Sequence, residues 1–256
     1  MTRPPPVVLL CGGLGLRQRS DGDDLPKPMR LLPDGRPLLL HVVDYYRRFG
    51  VREFVLCVGY GADAITRLLV ETFAGSSAQT ATGAGWLRIS GVDLRITLVD
   101  DGPYAEKNAR LLTARGHLDD KPFLLGYADV LSDLDLNRLI DRHRGTDAAL
   151  TLVATRVRSR YGELRVDAAC RVTEFHEKPT RTALVSAGYF MCSPQLFDVL
   201  RPELDFEVDV LPQLTASGRV GAVVHEGLWL PFDTYKDFID AEDLVAREGF
   251  RWLNPA

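Results

Sequence analysis

Short apolar runs alternate with amphipathic segments through the first 155 residues, and this alternation limits the fold more than any other feature of the chain. Continuous apolar runs indicate buried strands, whereas apolar residues that recur every three or four positions indicate helices packed on one side. Strands are predicted at residues 7–11, 54–58, 94–99, 123–127 and 148–155, and helices at 37–48, 62–73, 108–118 and 135–144. This β-α-β-α order predicts an α/β fold, in which helices cover both faces of a mostly parallel sheet.

The pattern changes after about residue 156, where strand-like runs follow one another as in hairpins. Such runs occupy 163–166, 171–175 and 186–192, followed by helical stretches at 194–201 and 209–217, a strand at 220–225 and a closing helix at 234–248. We interpret this part as a small hairpin-rich insertion or mixed-sheet half of one domain, because no linker precedes it. The stretch 75–85, rich in Gly, Ser, Thr and Ala, is predicted to be a mobile loop.

Composition and charge argue against several classes of protein. The chain is 46% apolar and 26% charged, which is typical of a globular protein, and its formal charge of −4 offers no general attraction for nucleic acid or an anionic membrane. No apolar run is long enough to span a membrane or to form the core of a signal peptide. Cys11, Cys57 and Cys192 lie in strand-like runs, which predicts buried thiols and a cytoplasmic protein.

A glycine-rich turn directly after the first predicted strand is the strongest local signal for chemistry. In Gly12-Gly13-Leu14-Gly15-Leu16-Arg17, three glycines leave backbone N–H groups free to approach an anion. The turn lacks the Gly-Lys-Ser/Thr of a Walker A loop, and Gln18 stands where a dinucleotide-binding fingerprint has its third glycine. A polar stretch then leads to Leu25-Pro26-Lys27-Pro28-Met29, in which two prolines restrict the backbone around a lysine.

These two motifs, with others in the same order, resemble the signature of the sugar-1-phosphate nucleotidylyltransferases. The further matching segments are Gly126-Tyr127-Ala128-Asp129, Glu177-Lys178-Pro179 and Leu230-Pro231-Phe232-Asp233-Thr234. Tyr60, Val99-Asp100-x-Gly102, Tyr161-Gly162 and Trp229 are similar to residues of the glucose-1-phosphate cytidylyltransferases within that family. The likeness runs through nearly the whole chain.

The resemblance implies a fold, a reaction and a set of roles. The fold would be a Rossmann-like three-layer sandwich of the glycosyltransferase-A-like type, with residues 1–256 as one domain, 1–155 as its nucleotide-binding half and 156–256 as its sugar-phosphate-binding half. A phosphate oxygen of a sugar 1-phosphate would attack the α-phosphorus of a nucleoside triphosphate, with CTP favoured, and pyrophosphate would leave without a covalent enzyme intermediate. A homo-oligomer is expected from the family.

The resemblance also assigns residues to these roles. Mg²⁺ would be held by Asp129 and Asp233, and the catalytic residues would be Arg17, Lys27 and Asp129. Nucleotide contacts would come from Leu10, Gly12, Gly13, Gly15, Arg17, Lys27, Asp101, Gly102 and Arg110. Sugar-phosphate contacts would come from Tyr127, Gly162, Glu177, Lys178 and Gly188. Asp133 and Asp135 are instead predicted to be caps of the helix after Leu134.

Departures from the family pattern leave both substrates open. Leu16 replaces a usual threonine, Ser186 and Ala187 stand near a usual asparagine, and Asp101 and Ala105 replace polar nucleotide contacts of the cytidylyltransferases. Another nucleoside triphosphate, or a modified sugar, cyclitol or non-sugar phosphate as acceptor, is therefore an alternative. A non-catalytic paralogue that binds nucleotide sugars is a second alternative, and a Rossmann dehydrogenase a third.

Overall fold

A computed structural model describes residues 3–12, 25–73, 79–83, 86–90 and 93–253. The strands are β1 (Val7–Leu10), β2 (Glu53–Val58), β3 (Gln79–Gly83), β4 (Trp86–Ser90), β5 (Arg95–Asp100), β6 (Phe123–Tyr127), β7 (Val130–Ser132), β8 (Leu150–Arg158), β9 (Glu163–Val166), β10 (Val172–His176), β11 (Thr180–Cys192), β12 (Val220–His225) and β13 (Trp229–Pro231). The α-helices are α1 (Leu38–Arg48), α2 (Ala62–Phe73), α3 (Lys107–Arg115), α4 (Leu136–His143), α5 (Leu211–Ala216) and α6 (Tyr235–Glu248). Two 3₁₀ turns (Lys27–Met29, Pro194–Asp198) and one π-helical turn (Phe206–Val210) complete the helical segments of these ranges.

Nine of the described strands form one sheet, in the order β12-β8-β11-β6-β1-β2-β5-β4-β3. Strands β11 and β4 are antiparallel to their neighbours, and the other seven run in one direction. Central strand β1 pairs in parallel with β2 and β6, so that Leu10 lies opposite both Cys57 and Tyr127. The predicted mostly parallel α/β sheet is confirmed, and the carboxyl ends of its central strands share one edge.

Side chains of the central strands alternate between two hydrophobic cores, one on each face of the sheet. Along β1, Val7 and Leu9 pack in the core that contains α1, whereas Val8 packs in the core that contains Leu111 of α3. The three cysteines predicted to be buried are buried. No helix in the described ranges is long and apolar enough to cross a membrane.

The prediction of a mobile loop over 75–85 is wrong for residues 79–83, which form edge strand β3. Strand β3 pairs antiparallel with β4, with Thr80 opposite Ile89, and β4 itself was not predicted. The sequence signal is weak because this edge strand contains Thr, Ala and Gly and no apolar run. Its pairing with β4 holds it in the sheet. Residues 74–78 and 84–85 lie outside the described ranges.

Two three-residue strands, β7 and β13, form a separate antiparallel ribbon that the sequence pattern did not predict. Three residues are too few for a periodicity to be recognised. Asp133 was predicted to be a helix cap, but its side chain follows β7 and accepts a hydrogen bond from the Leu228 N–H at 2.7 Å, which closes the ribbon. Asp135 does cap α4, because its carboxylate accepts from the Asn137 N–H at 3.0 Å.

The segment predicted as a hairpin-rich insertion forms a small sheet of its own. Strands β9 and β10 pair antiparallel, and the thirteen-residue strand β11 runs from the exposed hairpin region into the main sheet. The register of β11 against β8 shifts between Ser186 and Phe190, as at a β-bulge. This bulge lies beside the edge of the sheet where β6 ends, because Tyr189 pairs with Gly126.

His143 at the end of α4 is buried between two strands. Its Nδ1 lies 2.9 Å from the Thr151 hydroxyl and its Nε2 lies 2.9 Å from the Ser193 hydroxyl, which itself donates to the Ala148 carbonyl. Burial lowers the pKa of His143, so the folded protein favours the neutral imidazole. In the unfolded chain the imidazole of His143 binds a proton at its ordinary pKa near 6.5. The contribution of neutral His143 to the free energy of unfolding is therefore fully present above that pH. It is lost as the pH falls from about 6.5 toward the lower pKa of His143 in the folded protein.

We expect the free energy of unfolding to decrease as the pH falls from 7.5 to 5.5, with His143 contributing up to about 1.4 kcal/mol per pH unit. Urea denaturation at several pH values measures this slope. His143→Gln should flatten the slope, whereas His176→Gln should leave it unchanged because His176 is exposed on β10. Equal slopes for both variants and the parent protein would contradict the assignment.

Candidate active site

A cavity of about 640 Å³ opens at the edge of the sheet where β1 and β6 end. Its volume is within the range of small-molecule sites. Side chains and backbone from the ends of β1 and β6, the start of α3, the bulge of β11 and the strand β13 line it: Leu10, Gly12, Tyr104, Lys107, Arg110, Tyr127, Asp129, Gly188, Trp229 and Asp233.

Two aspartates of the cavity lining, Asp129 and Asp233, meet Lys27 at its edge. Nζ of Lys27 lies 2.7 Å from Oδ2 of Asp129 and 3.1 Å from Oδ1 of Asp233. The Lys27 side chain is only 15% exposed, whereas that of Asp233 is 54% exposed and reachable from solvent. The structure therefore brings together the two residues predicted to hold a metal ion and the lysine predicted to act on the α-phosphate region.

The ribbon of β7 and β13 explains why two aspartates distant in the chain are neighbours. Asp129 directly precedes β7 and Asp233 follows β13, and Pro231 lies opposite Val130 in the ribbon. The backbone N–H of Phe232 donates to the Asp129 carbonyl at 2.9 Å, which fixes the end of the ribbon that bears both carboxylates.

The start of helix α6 holds the backbone of Asp233. Thr234 is the N-cap residue of a capping box, and the Asp237 carboxylate accepts from the N–H groups of Asp233 and Thr234 at 2.8 and 2.6 Å. A capping box fixes the direction in which the chain enters a helix. Asp233 is therefore held from both sides, by the ribbon before it and by the helix cap after it.

Lys27 is held by a short 3₁₀ turn between buried residues. The Met29 N–H donates to the Pro26 carbonyl at 2.8 Å, and both prolines that flank Lys27 are buried. Burial by itself lowers the pKa of the Lys27 ammonium, but the charges and hydrogen bonds of Asp129 and Asp233 outweigh burial and raise the pKa above its ordinary value. Lys27 is therefore fully charged at neutral pH.

The paired carboxylates fit a divalent cation of the kind that the sequence predicts. An ammonium already lies within 3.1 Å of one oxygen of each aspartate, so both oxygens converge on a position suited to a positive charge. Mg²⁺ in nucleotide sites takes one or two carboxylates and completes its shell with water and phosphate oxygens. Among the described residues no group of three or more His, Cys, Asp or Glu side chains could hold a metal ion, so any such ion would take most of its ligands from elsewhere.

Arg110, predicted to contact the nucleotide, is buried and bonded to backbone carbonyls. Its guanidinium donates to the carbonyls of Ala105 at 3.0 Å, Gly102 at 2.9 Å and Gly12 at 3.2 Å, and also to Val58. A Cβ atom at Gly12 would overlap this guanidinium, which explains the glycine there. Arg110 thus braces the ends of β1 and β2 against the loop before α3.

Asp101 and Gly102, also predicted to contact the nucleotide, lie just before the part of this loop that lines the cavity. One oxygen of Asp101 accepts from the Thr113 hydroxyl at 2.7 Å, and its other oxygen is buried without a hydrogen-bond partner. Gly102 has a φ of +82° and presents its carbonyl to Arg110. The structure therefore places both residues in the supporting layer behind the cavity wall.

Tyr127 and Gly188, predicted to contact the sugar phosphate, are neighbours in the cavity wall. Gly188 has a φ of +79°, and a Cβ atom there would lie 2.8 Å from the Tyr127 ring. Trp229 on β13 adds an indole to the same wall, and its Nε1 donates to the Ala187 carbonyl at 2.9 Å. Sequence reasoning noted Trp229 only through its likeness to a family position and did not include it in the site.

The other predicted sugar-phosphate residues lie in the hairpin region, outside the cavity lining. Glu177 and Lys178 are exposed and 3.7 Å apart, and Gly162 lies close to the Glu177 carboxylate. At the base of the hairpin, Arg160 forms an ion pair with Asp237 at 3.7 Å. The Asp237 carboxylate in turn accepts from the N–H of Asp233 in the cavity lining. The predicted residues Gly13, Gly15 and Arg17 lie outside the described ranges.

Sequence reasoning missed two charged residues beside the cavity. Lys107 at the start of α3 lies 2.6 Å from a carboxylate oxygen of Glu207, whose other oxygen accepts from the Tyr127 hydroxyl. No motif marked either residue. Glu207 is one of three acidic residues that alternate with apolar ones from Asp205 to Asp209, and nothing in that pattern distinguishes it from its neighbours.

Comparison with known proteins gives a consistent result. A family model described as "Nucleotidyl transferase" matches residues 6–248. The chain is 31% identical over 243 residues to a protein of Bacillus subtilis named "Probable glucose-1-phosphate cytidylyltransferase", covering 93% of this chain and 95% of that protein. It is also 31% identical to the glucose-1-phosphate cytidylyltransferase of Salmonella typhi, covering 96% and 98%.

Among solved structures, HddC from Yersinia pseudotuberculosis superimposes with a TM-score of 0.70 at 24% identity, covering 93% of this chain and 98% of that one. At this level of identity, the likeness shows a shared fold.

We expect Arg110→Lys to lower the free energy of unfolding by about 2–4 kcal/mol, because one ammonium cannot replace the planar guanidinium that serves four carbonyls. Urea denaturation measures the loss. Arg115→Lys is the matched control, since Arg115 lies on the same helix and is 46% exposed. Its contacts, with surface Asp120 at 3.5 Å and with the Phe197 ring at 5.2 Å, are ones that a lysine can also make. A similar loss in both variants would show that Arg110 is not a brace.

Proposed function

The chain belongs to the nucleotidyl transferase family and is an enzyme of that class, and on this premise we propose that it transfers a nucleotidyl group from CTP to a sugar 1-phosphate in a Mg²⁺-dependent reaction. The products would be a CDP-sugar and pyrophosphate. One observation carries the proposal: Lys27, Asp129 and Asp233 converge at the carboxyl ends of parallel strands, and the two aspartates line a cavity of about 640 Å³.

The reaction requires two anions to be aligned and their charge to be balanced. An oxygen of the acceptor phosphate forms a bond to the α-phosphorus, while the bond from that phosphorus to the bridging oxygen breaks and pyrophosphate leaves with the electron pair. Little covalent work falls to the protein in such transfers, so positioning and electrostatic stabilisation carry the catalysis. Lys27 supports this role because it is charged, held by flanking prolines and nearly buried.

Asp129 and Asp233 would hold the Mg²⁺ ion, which, when bound, neutralises charge on the phosphates. The backbone next to the two side chains is held by hydrogen bonds within the protein, in the β7–β13 ribbon and in the cap of α6. Lys27 would donate to a phosphate oxygen beside them, where negative charge grows as the α-phosphorus becomes five-coordinate. Arg17, outside the described ranges, is proposed to contact the triphosphate.

The choice of CTP and of a hexose 1-phosphate rests on the names of the relatives. The cavity wall gives separate support for the sugar phosphate as acceptor. Tyr127, Gly188 and Trp229 form a wall that combines an aromatic surface with polar groups, as small-molecule sites do. On the nucleotide side, Asp101 is engaged with Thr113 rather than directed into the cavity. Another nucleoside triphosphate is therefore the second candidate, because Asp101 and Ala105 leave the contacts to the base unspecified.

Pyrophosphate release tests the substrates directly. With Mg²⁺ present, each of CTP, UTP, GTP, ATP and dTTP is offered with glucose 1-phosphate, mannose 1-phosphate, a heptose phosphate and an inositol phosphate. We expect CTP with glucose 1-phosphate to give the highest kcat/KM, by at least about tenfold or 1.4 kcal/mol over any other triphosphate. EDTA should stop turnover and excess Mg²⁺ should restore it. The proposal would be wrong if no combination of triphosphate and acceptor gave pyrophosphate.

Asp129→Asn and Asp233→Asn should each lower kcat by roughly a thousandfold, because a neutral amide cannot balance the charge of a divalent ion. Circular dichroism should show an unchanged fold, since neither carboxylate bonds to the backbone of the ribbon. Asp135→Asn is the control, because asparagine caps a helix as well as aspartate does. Full activity in Asp129→Asn would remove that residue from the metal site.

A further inference from the structure

Glu207 connects two side chains of the cavity wall that come from different elements. One carboxylate oxygen accepts from the Tyr127 hydroxyl at the end of β6, and the other lies 2.6 Å from Nζ of Lys107 at the start of α3. Nζ of Lys107 also lies 5.6 Å from the centre of the Tyr127 ring. Tyr127 and Lys107 line the cavity, whereas Glu207 stands behind them.

The backbone around Glu207 is built to hold it in this position. Glu207 lies in the π-helical turn Phe206–Val210, a rare conformation that occurs often at functional sites. The Asp205 carboxylate accepts from the N–H groups of Glu207 and Val208 at 2.8 and 2.7 Å. Phe206 is 1% exposed and packs edge-on against Phe190, with ring centres 5.8 Å apart.

A second contact fixes this turn to helix α3. Asn108, which follows Lys107, is fully buried, and its side-chain amide donates to the carbonyls of Arg201 at 3.1 Å and Leu204 at 2.7 Å. The start of α3 and the segment before the π-helical turn are thus bonded independently of Glu207. Removal of the Glu207 carboxylate should release two side chains without moving the backbone that carries them.

The contacts determine what the wall can offer to a ligand. The hydroxyl proton of Tyr127 is committed to Glu207, and burial together with the Glu207 charge raises the pKa of the phenol, so its oxygen can only accept from a ligand. Lys107 has three N–H donors and uses one on Glu207, which leaves two for a ligand. An acceptor and a donor held side by side match a hydroxyl group, which both donates and accepts.

We propose that Glu207 is a positioning residue, which holds Tyr127 and Lys107 side by side so that they recognise a hydroxyl group of the phosphorylated acceptor. The inference rests on the proposed function and adds a recognition residue to it, because an acceptor without a hydroxyl group at this wall would leave the paired polar groups unsatisfied. A site built to bond a hydroxyl discriminates strongly against an analogue that lacks it.

Steady-state kinetics of Glu207→Ala and Glu207→Gln test the wall, with the substrate pair that the parent enzyme uses best. We expect the KM for the acceptor to rise at least about tenfold while the KM for the triphosphate changes less than about twofold. Glu203→Gln is the matched control, because Glu203 is an exposed acid a few residues earlier in the same segment. Deoxy analogues of the acceptor should lose less activity, relative to the parent substrate, in Glu207→Ala than in the unmodified enzyme.

A double-mutant cycle shows whether Glu207 acts through its partner. Glu207→Ala and Lys107→Met should be non-additive, so that the double variant is no worse for acceptor KM than the more affected single variant. Tyr127→Phe provides a separate variant should Glu207→Ala fail to fold, and it should raise the acceptor KM in the same way. Additive effects, an unchanged acceptor KM or an equal rise in both KM values would overturn the inference while leaving the proposed function intact; an inactive parent enzyme would instead overturn the proposed function.

Discussion

Two ionised carboxylates repel each other at a partly buried site unless a cation lies between them, and the candidate active site is organised around such a cation. Lys27 supplies that cation, within 3.1 Å of both Asp129 and Asp233. The remaining features near the site serve to keep these three groups in place. The β7–β13 ribbon joins the two aspartates through the chain's own hydrogen bonds, and a capping box fixes the residue that follows Asp233. The site is therefore preorganised, which reduces the free-energy cost of ordering these side chains when a ligand binds.

The two sides of the cavity are supported by different ion-dipole and ion-pair arrangements. On one side, the guanidinium of Arg110 gathers the carbonyls at the ends of β1 and β2 and in the loop after β5. On the other side, the carboxylate of Glu207 holds a phenol and an ammonium. Both supporting residues direct their charge toward groups of the protein itself. Arg110 does so from within the cavity lining, whereas Glu207 stands behind Tyr127 and Lys107.

The central sheet and the helices on its faces were predictable, because short apolar runs and helical periods specify them. Strand β6 has the predicted bounds, and the apolar run of β1 is a buried strand, as predicted. The short ribbon and edge strand β3 were not predictable, since their stability comes from pairing with distant partners rather than from local sequence. The same limit applies to the site: motifs suggested Asp129 and Asp233, but only the ribbon explains their proximity, and no local pattern marked Glu207 or the bracing role of Arg110.

The base of the exposed hairpin is tied to the candidate active site. The Ser159 N–H donates to the Pro179 carbonyl at 2.8 Å, which closes the hairpin region just after Glu177 and Lys178. The residue after Ser159, Arg160, lies 3.7 Å from the Asp237 carboxylate that holds the backbone of Asp233. One ion pair and one hydrogen bond therefore connect the hairpin to Asp233. The fold thus fixes where the hairpin base lies relative to the cluster of Lys27, Asp129 and Asp233, although neither Glu177 nor Lys178 lines the cavity itself.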